Sequence, residues 1–274
     1  MRNVWINYNE LNYQNIRFVD VRFSLTDSQA GRQLYEENHL DGAIYMDLED
    51  DLSDMKSGMG RHPMPSKEKL EMFFELHGLT YNDTLVIYDQ GGMPFAPRAY
   101  WIFKYAGFPK VFILREGFEE LKEMNVCVSR DIPEYSKSTL ELEWNEEIFA
   151  QKELVKAISD KAKEGVLLDA RSKERYDGIH EPIDLVRGHI PTARNFDWDQ
   201  LKENGQYKDA KTIERSLGKV VSKDEEITVY CGSGVTAAPL YAMLKEIGYE
   251  HVRLYVGSYS DWITSYPVEQ NKLT

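Results

Sequence analysis

A set of landmarks that recurs in the same order in both halves constrains this 274-residue chain more than any other feature. The first half carries Ile16-Arg17-Phe18-Val19-Asp20-Val21-Arg22, and the second carries Val166-Leu167-Leu168-Asp169-Ala170-Arg171. Each is an apolar run ending in Asp-x-Arg. His39-Leu40-Asp41-Gly42-Ala43 is answered by His189-Ile190-Pro191-Thr192-Ala193, and Leu85-Val86-Ile87-Tyr88-Asp89 by Ile227-Thr228-Val229-Tyr230-Cys231. The offsets between the pairs are 149, 150 and 142 residues, as small loop deletions in a duplicated unit would give. Short β-branched runs bounded by polar turns suit buried strands. Helical segments follow near 97–105 and 237–247 and stop at Gly107 and Gly248, as helix ends often do. Further apolar strands come at 111–114 and 252–256. Strands alternating with helices predict an α/β fold built twice, each copy a parallel sheet flanked by helices. The expected division is a domain over 1–130, a linker over 131–150 that opens on the polar run Asp131-Ile132-Pro133-Glu134, and a domain over 151–274.

Charge and composition exclude several functions. The chain has 33 basic and 46 acidic residues, a formal charge of −13. Phosphate neutralisation dominates nucleic-acid binding, so this balance argues against a nucleic-acid partner and against an anionic membrane surface. No apolar run approaches the length that spans a bilayer. The first twenty residues are polar and lack the apolar stretch of a signal peptide, which gives a cytoplasmic expectation. Two cysteines, Cys127 and Cys231, cannot build a disulfide framework or a four-cysteine zinc site. No spacing gathers His, Cys and acids into a recognisable ligand set, so neither metal nor cofactor is expected.

The two copies differ where it matters for chemistry: after the matching strand and tyrosine, one has Asp89 and the other Cys231. The second continues Cys231-Gly232-Ser233-Gly234-Val235-Thr236-Ala237, a Gly-rich turn leading into a helix. Ligands of open α/β sheets bind at the carboxyl ends of strands. Glycines let successive N–H groups turn inward as a nest, and the following helix adds its positive end. Such a loop stabilises a sulfur anion, so Cys231 reads as a nucleophile and Cys127 as a bystander. Three chemistries could use the loop. Gly232 to Ala237 fits G-x-G-x-x-A, but no acidic residue ends the next strand, as a dinucleotide site would need. A cysteine phosphatase needs an arginine in the loop, and the position six after Cys231 is Ala237. Sulfur transfer through a persulfide needs the thiolate, the amides and a cation for the donor, with no metal or organic cofactor.

These residues resemble the tandem-domain rhodanese family of sulfurtransferases. The likeness is carried by the Asp-x-Arg strand ends, Gly188-His189-Ile190-Pro191, Arg61-His62-Pro63-Met64-Pro65, Ala96-Pro97-Arg98 and the cysteine loop. It implies two rhodanese-like domains, the first inactive with Asp89 at the cysteine position, and one active site at their interface. The loop is most similar to the 3-mercaptopyruvate branch. Neutral Gly232 and Ser233 suit a monoanionic keto acid, whereas doubly charged thiosulfate, the alternative donor, suits basic residues there. The resemblance makes Cys231 catalytic and gives Gly232, Ser233, Gly234, Val235 and Thr236 to substrate binding. It makes Arg175 a ligand of the donor carboxylate. A second arginine is expected nine residues on, where this chain has Asp184; Arg187 is a candidate replacement. It further implies that His62 and an acid, here Glu49, assist proton movement. The acceptor would be a thiol, thioredoxin or cyanide. A catalytically silent binding module is the rival from another class.

Overall fold

The structure, a computed structural model, describes residues 4–271. Contacts divide them into two compact units, one of 4–54 with 64–145 and the other of 55–63 with 146–271. The short segment 55–63, which lies within the first half of the sequence, thus groups with the second half.

The first unit holds a five-stranded parallel sheet in the order Trp5–Ile6, Val111–Leu114, Thr84–Tyr88, Ile16–Asp20, Ile44–Tyr45. Its central strand Thr84–Tyr88 is buried along its whole length, which is why that run carries no hydrophobic alternation. Helix Phe95–Tyr105 follows and buries Trp101, Ile102 and Phe103 in the core. The stretch read as the start of a linker lies along this unit. Tyr135 Oη donates to Gly42 O at 2.7 Å, and the Arg17 guanidinium sits 3.5 Å from the Tyr135 ring centre.

The second unit repeats the plan with strand order Val252–Leu254, Ile227–Tyr230, Val166–Asp169, Arg194–Asn195, all parallel. A parallel bridge between Phe149 and Leu254 extends the edge that Trp5–Ile6 occupies in the first unit. Helix Ala237–Glu246 follows the central strand and is buried along most of its length.

The repeated landmarks form one repeated network. In the first unit Asp20 and Arg22 make a buried ion pair at 2.7 Å. Tyr88 Oη donates to Asp20 at 2.8 Å and accepts from Leu40 N at 3.1 Å. His39 stacks on Tyr35 and donates from Nδ1 to Tyr35 O at 2.7 Å. In the second unit Asp169 and Arg171 pair at 2.6 Å, both side chains fully enclosed. Tyr230 Oη accepts from Ile190 N at 3.1 Å, and His189 stacks on Tyr176 and donates to its carbonyl at 2.7 Å. Burial, then the neighbouring aspartate, pushes both Tyr88 and Tyr230 far above the ordinary phenol value, so both remain proton donors. Each arginine also lies over an aromatic face, Arg22 on Phe118 and Arg171 on Tyr259. The Asp-x-Arg, His and Tyr repeats are therefore the polar fastening of each sheet.

Candidate active site

The strand Ile227–Tyr230 ends at Cys231, and the loop turns into helix Ala237–Glu246. Cys231 is buried, with 1% of its surface exposed. The Gly234 N–H points at its sulfur, 3.1 Å away. That approach depends on glycine: Gly234 has φ +77°, and a Cβ there would stand 2.3 Å from the Val256 carbonyl oxygen. The loop is clipped to the segment after the next strand. Tyr259 N donates to Cys231 O at 3.0 Å, and Ser260 N donates to Gly232 O at 2.9 Å. Ser258, buried and in the left-handed region at φ +55°, accepts from Cys231 N at 3.1 Å. Its hydroxyl donates to Tyr255 O at 2.8 Å and lies 4.0 Å from the Cys231 sulfur.

The first unit shows what the same turn does without sulfur. Phe118 N donates to Asp89 O at 3.1 Å, as Tyr259 N does to Cys231 O, so the two residues hold equivalent positions. The Asp89 carboxylate accepts from Gly91 N at 2.8 Å and Ala96 N at 3.0 Å. Burial raises this carboxyl to about 6 against the pull of those amides.

The other residues singled out from sequence fall as follows. His62 belongs to the same unit as the cysteine, and its Nδ1 lies 2.9 Å from the Ser233 hydroxyl oxygen. Arg175 is bound by acids: its Nε donates to Glu181 at 2.9 Å, and its Nη2 meets Asp184 at 3.0 Å. Glu181 also takes Arg171 Nη1 at 3.2 Å. Burial alone would raise the Glu181 carboxyl, but hydrogen bonds from Arg175 and from the Asp184 and Ile183 amides hold it below its ordinary value. Val235 is buried and Thr236 is half-buried where the loop meets the helix. Glu49 belongs to the other unit, half-buried in a turn whose shape is set by Asp47, which accepts the Glu49 and Asp50 amides. Cys127 is exposed.

The sequence reading passed over Arg61. Its Nη1 pairs with Asp184, the same carboxylate that holds Arg175, and its backbone N–H donates to Ser260 Oγ at 3.2 Å. A Cβ built on Gly232 would come within 2.5 Å of Arg61 Nη2 and 3.3 Å of Arg175 Nη2. Two guanidiniums thus lie against Gly232, the residue that follows Cys231. Arg187, the candidate replacement cation, is exposed. Two signals pointed to Arg61. It adjoins His62 in the quoted motif, and an acid at 184 where a cation was expected calls for a compensating charge.

This arrangement combines a buried cysteine sulfur, an amide aimed at it, a hydroxyl–imidazole pair and two guanidiniums. Among the described residues no cluster of His, Cys, Asp or Glu could hold a metal ion, and no helix is long and apolar enough to cross a membrane.

Comparison with known proteins gives the same picture. The model for the rhodanese-like domain matches residues 7–124 and again 150–265. A protein of Pseudomonas aeruginosa named probable 3-mercaptopyruvate sulfurtransferase is 33% identical over 264 residues, covering 93% of this chain and 91% of that protein. The 3-mercaptopyruvate sulfurtransferase of Escherichia coli K12 is 31% identical over 253 residues, 90% of this chain and 89% of its own. The crystal structure of SseA from Escherichia coli, titled as showing the fold and mechanism of 3-mercaptopyruvate sulfotransferases, is 28% identical. It superposes with a TM-score of 0.77 and covers 90% of this chain and 94% of its own. The polar fastening built twice, the cysteine turn built once, and a family match in each half lead to one conclusion: this chain belongs to the rhodanese-like domain family, with two tandem domains.

Proposed function

We propose that the protein is a sulfurtransferase that moves sulfur from 3-mercaptopyruvate through a persulfide on Cys231 to a thiol acceptor. The single observation that carries this reading is the Gly234 N–H held 3.1 Å from the Cys231 sulfur in a turn flanked by Arg61 and Arg175. An amide aimed at sulfur stabilises the thiolate and, after transfer, the persulfide anion. The names of the Pseudomonas aeruginosa and Escherichia coli relatives agree with this donor, whereas a Mycobacterium tuberculosis relative at 33% identity is named putative thiosulfate sulfurtransferase, which keeps thiosulfate as the alternative. Neutral Gly232 and Ser233 support 3-mercaptopyruvate, because a single carboxylate needs no further cation within the loop.

The reaction balances without an oxidant. The Cys231 thiolate attacks the sulfur of 3-mercaptopyruvate, and an S–S bond forms as the C–S bond breaks. The electron pair leaves on carbon as the enolate of pyruvate, which takes up a proton. An acceptor thiolate then attacks the outer sulfur and returns Cys231 as thiolate. Ser233, bonded to His62, is the hydroxyl placed in the loop to bind the donor's carbonyl oxygen as it becomes an enolate oxygen, and His62 reloads it with a proton. Gly232, Gly234, Val235 and Thr236 shape the turn, and Arg175 draws the donor's carboxylate. Glu49 enters through the family resemblance alone, as the acid partner of proton movement. A small thiol, thioredoxin or cyanide is the proposed acceptor, and the cytoplasm the proposed compartment. The stretch 131–150 is proposed as the linker between a domain over 1–130 and a domain over 151–274.

Incubation with 3-mercaptopyruvate should add one sulfur atom to Cys231 and release one pyruvate, and Cys231→Ser should do neither. A variant that retains turnover would remove the mechanism, and faster sulfur uptake from thiosulfate would move the donor.

A further inference from the structure

We propose that Arg61 and Arg175 together form the subsite for the donor's anionic group, with Asp184 acting as the clamp that spaces the two guanidiniums. The proposal deepens the functional reading above and rests on it for the donor's identity. Arg61 lies 114 positions before Arg175 in sequence but belongs to the same structural unit. Asp184 places one carboxylate oxygen on Arg61 Nη1 and the other on Arg175 Nη2. Glu181 takes the Nε edge of Arg175. These acids leave Arg61 Nη2 and Arg175 Nη1 without a carboxylate partner, and both atoms lie against Gly232, at 2.5 and 3.6 Å from where its Cβ would be. Arg61 is also the more open of the two, its side chain 31% exposed against 17% for Arg175.

The electrostatics decide what such a subsite accepts. Two arginines against Glu181 and Asp184 make a cluster that is neutral overall, so it exerts no strong long-range pull on multiply charged anions. At contact, two unshared N–H edges converge on one spot, which suits a planar carboxylate. An anion bound there lies beside the residue that follows the nucleophile. The sequence position that would have supplied a second arginine supplies the clamp instead, and the cation comes from the 55–63 segment.

The test compares two alkylating agents of nearly equal shape, one anionic and one neutral. In a Cys127→Ser background, where Cys231 is the only thiol, the rates with iodoacetate and iodoacetamide are measured at pH 7 and expressed as a ratio. Arg61→Gln should lower that ratio about tenfold, as loss of a charge-assisted contact implies, and the ratio cancels any change in the reactivity of the sulfur itself. Arg61→Lys, which keeps the charge, should restore part of it. An unchanged ratio in Arg61→Gln, or an equal loss in the Lys and Gln variants, overturns the proposal. Turnover of 3-mercaptopyruvate by the wild type is scored separately. A protein that passes the alkylation test but does not turn over that donor keeps the subsite and loses the donor assignment.

Discussion

Replacing Asp89 by Asn should flatten the response of stability to pH between 7 and 5. The wild-type carboxyl is buried, and burial moves it from the ordinary value of 3.8 to about 6, although the amides of Ala96, Gly91 and Met93 favour its anion. The folded protein therefore binds this proton more tightly than the unfolded chain does. The stabilisation is fully present below the unfolded value and is lost as pH rises through about 6. Over the whole range it amounts to about 3 kcal/mol, of which about 1.4 kcal/mol is gained between pH 7 and pH 5. Asp51, also raised to about 6 chiefly by burial, adds a response of the same sign, but it is present in both proteins and cancels in their difference. Carboxyls held low by their partners, such as Glu226 beside Arg253, lose their contribution only as pH falls below the ordinary carboxylate range, outside the window. A single-pH comparison would mix two effects, since the Asn side chain offers one oxygen and sets an NH2 group against a backbone N–H. The pH response separates them. Urea denaturation of both proteins at pH 7 and pH 5 should show the wild type gaining about 1.4 kcal/mol more than the variant on acidification. Equal responses would refute the reasoning, because Asp89 would then be ionised throughout the window.

Two further perturbations probe the second unit. Gly234→Ala forces a Cβ to within 2.3 Å of the Val256 carbonyl oxygen at a φ of +77° and should destabilise by roughly 2–4 kcal/mol. It should also slow iodoacetamide alkylation of Cys231 at pH 7, and an unchanged rate would mean that the Gly234 amide does not stabilise the sulfur anion. Asp169→Ala leaves the Arg171 guanidinium enclosed with only Glu181 as a charged partner, and a loss of about 3–5 kcal/mol is expected in thermal or urea melts. A loss under 1 kcal/mol would show that water reaches the arginine.

The fold was legible because its fastening is local. Asp20 with Arg22, and Asp169 with Arg171, are two residues apart, so a pair that must be buried together leaves an Asp-x-Arg signature in any copy. Tyr88 and Tyr230 close their strands and reach back to the same aspartates, which fixes their place at the strand ends. Cys231 was legible for the same reason: strand, Gly-rich turn and helix are contiguous in sequence. Arg61 was not, since nothing in periodicity or composition links it to Asp184, 123 residues later. Ser258 was missed because its role comes from a left-handed backbone that a serine seldom adopts, held in place by the hydrogen bond to Cys231 N. Arg175 was found by motif, but its acids Glu181 and Asp184 looked like surface charge until the fold enclosed them.

The two turns also show what the position after the repeated tyrosine must supply. A Gly-rich strand-to-helix turn points backbone N–H groups into a small buried space, and buried donors need an acceptor. In the second unit the Cys231 sulfur receives the Gly234 amide. In the first unit Asp89 supplies two oxygens, one for Gly91 N and one for Ala96 N, at the expense of burying a carboxyl. An apolar residue there would orphan those amides, each at a cost of about 1–3 kcal/mol. The turn without sulfur thus satisfies its amides from within, with a carboxyl that burial raises to about 6. What the two side chains share is acceptance of the turn's amides, by that carboxyl in the first unit and by a sulfur in the second.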